Sequence, residues 1–88
     1  MGQQVAIDEP VRVRVRSLPT GKIAPGSFEW QGRTYSIVAL GRQWDEMVEG
    51  RLVRSFLVQT SGQNSFELRW DPVEDEWVLH RGWLMYLV

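Results

Sequence analysis

Strict alternation constrains this chain more than any other feature of its sequence. Residues 11–16 read Val-Arg-Val-Arg-Val-Arg. Successive side chains of a strand point to opposite faces, so the three valines share one face and the three arginines the other. A helix would scatter both sets around its circumference. β-Branched valine also suits a half-buried pleated surface. The segment predicts a strand with Arg12, Arg14 and Arg16 in one solvent-facing row and Val11, Val13 and Val15 beneath.

The same period recurs downstream. Residues 28–40, Phe-Glu-Trp-Gln-Gly-Arg-Thr-Tyr-Ser-Ile-Val-Ala-Leu, predict a β-hairpin whose two-residue turn is Gln31-Gly32, with Gly32 supplying the positive φ that primed turns need. In that register Phe28 faces Tyr35, Glu29 faces Thr34 and Trp30 faces Arg33, so three aromatics share one face. Residues 52–60 and 65–71 predict two further strands joined through Ser61-Gly62-Gln63-Asn64. Asp71-Pro72 opens another turn, because an Asp side chain bonds the backbone just ahead and Pro presets φ. Residues 77–88 predict a last strand, bent near Gly82.

Three segments break the rhythm. Residues 1–10 have no period and predict a loose tail, with Val5 and Ile7 as its candidate contacts to the body. Residues 17–27 hold two prolines and two glycines and predict an irregular connection. Residues 41–51 lose the alternation, and Trp44, Met47 and Val48 fit a turn or two of helix stopped at Gly50.

These segments add up to an all-β chain with a single small domain over residues 11–88. Five or six antiparallel strands predict a curled meander sheet or an open SH3-like barrel. Eighty-eight residues leave room for only one core. Its expected members are Val11, Val13, Val15, Phe28, Trp30, Tyr35, Phe56, Val58, Phe66, Leu68, Trp70, Trp77 and Leu79. A flat sheet would leave one aromatic face wet, so closure of the sheet or pairing with a second subunit is expected.

Several chemistries lack their residues. There is no cysteine, which removes disulfides, thiolate catalysis and cysteine-based zinc sites and suits a reducing cytoplasm. His80 is the lone histidine, and a zinc site around it would need carboxylates for every other ligand. Asp71, Glu74, Asp75 and Glu76 lack the oxygen pattern and turn glycine of a calcium loop and read as a solvated turn. Ser55, Ser61 and Ser65 have no histidine at recognisable spacing, and no glycine-rich phosphate loop occurs. The expectation is a protein that is not an enzyme, with no metal and no cofactor. The apolar run 83–88 is far too short to span a bilayer, so a soluble, cytoplasmic protein is expected.

Charge separates the two halves of the chain. The net charge is −1, yet residues 1–44 carry a balance of +3 and residues 45–88 a balance of −4. Arg12, Arg14, Arg16, Lys22 and Arg33 are therefore the candidates for binding a polyanion. Trp44 and Trp83 fall outside the clean alternation and read either as core or as a base-stacking platform or partner pocket. Trp83, Met85, Tyr86 and Leu87 belong to a terminal stretch that is apolar on both faces, which predicts an interface.

The motifs Phe-Glu-Trp-Gln-Gly-Arg-Thr-Tyr (28–35) and Phe-Glu-Leu-Arg-Trp-Asp (66–71) with Trp77, His80, Arg81 and Trp83 carry a resemblance. Over residues 11–83 the chain resembles a family of short bacterial proteins, a domain of unknown function. Members show a Phe-x-Trp-x-Gly-Arg-x-Tyr hairpin, a Phe-Glu-Leu strand, an Asp-containing turn and a basic-aromatic end. Some are encoded near lesion-bypass DNA polymerases, which implies an accessory role in repair. The motifs are structural, so they imply no functional residue. Two functions are expected from different classes. One is a protein-interaction module, self-associating or with a protein partner. The other is a nucleic-acid accessory that uses the basic strand face.

Overall fold

The computed structural model describes residues 3–84. They form one antiparallel sheet of seven strands and no helix. The strands are β1 (Gln3–Pro10), β2 (Arg12–Ser17), β3 (Ile23–Trp30), β4 (Arg33–Val48), β5 (Arg51–Thr60), β6 (Ser65–Asp71) and β7 (Glu76–Leu84). Across the sheet they run β1-β7-β6-β5-β4-β3-β2.

That order forces the sheet to curl. β1 and β2 are its two edges, yet only Val11 separates them in the chain. Laid flat, six spacings would hold the edges about 29 Å apart, whereas the two backbone steps from Pro10 to Arg12 reach about 7 Å. The sheet therefore rolls until its edge strands meet end to end. Phe28 of β3 confirms the roll, since its ring lies 5.2 Å from that of Phe66 on β6, three strands away. At the junction the Val11 N–H donates to the Trp77 carbonyl (3.1 Å). No ladder pairs β1 with β2 among the described residues, so the roll stays open.

The concave face holds the core. Phe28, Phe56, Val58, Phe66, Leu68, Trp77 and Leu79 are buried there, with Val11, Val13, Trp30, Tyr35 and Trp70 packed against them. Phe66 meets Phe28, Trp30 and Tyr35 edge-on, the geometry aromatic quadrupoles favour. The 28–35 hairpin keeps the expected register, Phe28 to Tyr35, Glu29 to Thr34 and Trp30 to Arg33. Asp71 accepts from the N–H groups of Val73 and Glu74 (2.9 and 3.2 Å), closing the expected turn.

Five expectations need correction. The described residues form seven strands, not five or six. Residues 3–10 are no loose tail: they are β1, laddered to β7 from Gln3–Leu84 to Pro10–Val78. Their pattern is hidden by a bulge between Ala6 and Glu9, where Asp8 takes a positive φ. Residues 41–51 are not helical but continue β4 into a tight turn at Glu49-Gly50. Two register shifts, at Ile37/Ala39 and Leu40/Gln43, erase the period of two there. Residues 23–27, expected to be irregular, begin β3, and a bulge at Gly26 accommodates Pro25. Val15, expected in the core, is 44% exposed.

Candidate functional site

Two surfaces gather the polar side chains. The first is the free edge of β2. Val11 points its N–H at β7. Backbone groups alternate sides along a strand, so those of Val13 and Val15 point the same way. The even residues face β3: Leu18, on that parity, donates its N–H to the Lys22 carbonyl (2.8 Å) in the β2–β3 turn. β7 has ended where β2 proceeds, because the chain turns away through Asp71–Glu76. The N–H and C=O groups of Val13 and Val15 therefore open onto a groove of about 680 Å³, lined by Pro10, Val11, Arg12, Val13, Val15, Ile23, Asp75, Glu76 and Trp77.

The arginines of β2 form the solvent-facing row that alternation predicts. Arg12, Arg14 and Arg16 are all exposed. None of the ion pairs or side-chain hydrogen bonds among the described residues involves them, nor Lys22 or Arg33. Glu29 sits opposite Arg12 across the β2–β3 ladder. Lys22 lies elsewhere, near Gln43, Trp44, Asp45 and Arg54, and Arg33 is at the tip of the 28–35 hairpin. The row unites Arg12, Arg14 and Arg16 but not the other two.

The second surface is the convex face of β4 to β7 and β1, where charged side chains are paired with one another. Glu67 is only 4% exposed. Its carboxylate lies 3.3 Å from Arg81 Nε and 3.5 Å from Arg69 Nε. A bulge opposite Glu67/Leu68 turns both His80 and Arg81 to this face. His80 Nδ1 contacts the Asp8 carboxylate, which places the ring proton there, and Nε2 accepts from Arg81 Nη2 (3.0 Å). On the other flank Arg69 reaches Glu46 (3.4 Å), whose carboxylate also accepts from Trp44 Nε1 and Ser55 Oγ. The indole N–H holds the Glu46 carboxyl below its ordinary pKa, with Arg69 and Ser55 acting in the same direction against partial desolvation.

Trp44 and Trp83 belong to this convex face, not to the core. Each is half-buried beneath an arginine, Arg42 over Trp44 at 5.4 Å and Arg81 over Trp83 at 6.0 Å. Met85, Tyr86 and Leu87, expected at an interface with Trp83, lie outside the described residues. The acidic turn is engaged by neighbours: Arg51 pairs with Asp71 and Glu74 (2.8 and 3.1 Å), and Trp70 Nε1 donates to Asp75. Among the described residues no group of three or more His, Asp or Glu side chains is placed to hold a metal ion. Among the described residues no helix is long and apolar enough to cross a membrane.

Sequence reasoning missed the open backbone edge and the convex charge ladder. The edge follows from β7 stopping short of β2, which no local pattern encodes. The ladder joins Asp8 to His80, 72 positions apart, through a bulge that alternation hides. No family model, no curated protein and no solved structure matches the chain.

Proposed function

We propose that the protein is a non-catalytic protein-interaction module that takes an extended peptide as an added strand along β2. The observation that carries this reading is the open backbone edge at Val13 and Val15, set over a groove with an apolar lining. Main-chain hydrogen bonds supply affinity in such strand addition, and alternate side-chain pockets supply selectivity. The convex charges fit the same reading, since Glu67, Arg69, Arg81, His80 and Asp8 are paired with one another. The lack of cysteine agrees with a cytoplasmic setting.

The test is a proline at Val15. On the parity above its N–H makes no bond to β3, and proline is tolerated where the N–H faces away from the sheet. A Gly-Ser-flanked Gln-Ile-Gln-Ile-Gln peptide is expected to bind the wild type and to lose binding to Val15→Pro, with the melting temperature little changed. Equal binding by both proteins would overturn the reading, and so would no binding by the wild type.

A second reading has its own observation in the unpaired arginine row. As a nucleic-acid accessory of DNA repair, the protein would set Arg12, Arg14 and Arg16 against phosphates of a single strand. Three such contacts give a slope of log affinity against log salt of about −2. A flat salt dependence with single-stranded DNA, or binding unchanged when all three arginines become Gln, removes this reading.

A further inference from the structure

We infer that the strand accepted by β2 is acidic on one face and apolar on the other, an extended segment alternating Asp or Glu with aliphatic residues. The inference rests on the strand-addition reading and adds the sign and phase of the ligand.

The phase comes from the pleat. A strand laddered to β2 aligns its side chains with those of β2, face for face. On the outer face its neighbours are Arg14 and Arg16, with Arg12 at the entry. All are exposed and none is engaged in an ion pair. On the inner face its neighbours are Val13 and Val15 with the groove walls Ile23 and Trp77. Val15 supports this directly, because it lies on the apolar phase of β2 yet is 44% exposed. It is the place on this strand where apolar surface is left uncovered at the edge.

The sign follows from what already surrounds the row. Glu29 is the acid opposite Arg12, but it belongs to β3, on the laddered side. Asp75 and Glu76 line the far wall beside Val11 and Arg12, and Asp75 is held by Trp70 Nε1 (2.9 Å). Along β2 itself, residues 13–17 carry the two cations Arg14 and Arg16 and no acid. A basic guest would set like charges side by side, which destabilises a cross-strand pair. The same repulsion argues against a second copy of this chain, since pairing two β2 edges would align two arginine rows. A heterologous acidic strand answers both the charge and the apolar phase.

Three Gly-Ser-flanked peptides separate the inference from the reading beneath it: Glu-Ile-Glu-Ile-Glu, Gln-Ile-Gln-Ile-Gln and Lys-Ile-Lys-Ile-Lys, each titrated by fluorescence anisotropy at low salt. The Glu peptide is expected to bind roughly 2- to 30-fold tighter than the Gln peptide, the sum of two exposed ion pairs, and the Lys peptide weakest. In the Arg14→Gln/Arg16→Gln double variant the Glu-to-Gln preference should fall to about one while the Gln peptide binds as before, which also serves as the folding control. If Glu and Gln peptides bind the wild type equally, the acidic preference is wrong and the strand-addition reading survives. If the Lys peptide binds best, the sign is overturned. If none binds, both fail together.

Discussion

At the residue scale, the legible features were those fixed by neighbours in sequence. The 28–35 register followed from Gln31-Gly32 because a two-residue turn dictates which side chains face each other. The arginine row followed from alternation alone. Glu46 was not legible, because its partners arrive from three strands: Trp44 beside it, Ser55 on β5 and Arg69 on β6. Its lowered pKa has a consequence for stability. A carboxyl depressed in the folded state stabilises the fold above its unfolded pKa, and that contribution is lost as pH falls through the folded value. Trp44→Phe removes the largest cause, the indole N–H. The Glu46 carboxyl is then expected to titrate at higher pH by NMR, and acid unfolding should begin at higher pH. A Glu46 titration curve unchanged in the variant would show that the indole bond does not set it.

At the scale of elements, bulges explain most of what sequence reading lost. β4 looked non-strand because two register shifts reset its phase, and β7 carries another that sends His80 and Arg81 outward together. The bulge also brings Gly82 round to the core. A Cβ there would lie 3.0 Å from Cδ1 and Cε1 of Phe66, so glycine is needed for close approach to a ring that is itself fully buried. Gly82→Ala is expected to destabilise by about 1–3 kcal/mol through overpacking. Phe66→Ala should destabilise by about 3–5 kcal/mol, as it empties the centre of the aromatic cluster. Because the two sites touch, Phe66→Leu should relieve part of the Gly82→Ala loss. Strictly additive losses in denaturant titrations would mean that the glycine is not there to admit the ring.

At the scale of the whole molecule, the fold depends on one run of chain, residues 3–17, serving both edges of the sheet. Its first half ladders to β7 and its second half to β3. Local reading recovered the second half from its valines and took the first, which Asp8 interrupts and Pro10 ends, for a loose tail with Val5 and Ile7 as its points of contact. Edge strands tolerate such residues, so polarity there was no sign of disorder. Ile7 reaches within 3.4 Å of where a Gly82 Cβ would sit and packs against the core beside it. Removing residues 1–10 should therefore uncover the β7 edge and the back of the core, and remove the Asp8 partner of His80. Destabilisation of about 2 kcal/mol or more is expected from the lost apolar burial of Val5 and Ile7 alone. The roll should also loosen at Val11, whose N–H bond to Trp77 is anchored from both sides. Hydrogen exchange should then quicken at Leu79 on β7, which shares the parity of Trp77 and so faces β1, while the 28–35 hairpin stays protected. A truncated chain with unchanged melting and unchanged exchange on β7 would show that residues 3–10 lean on the sheet without holding it closed.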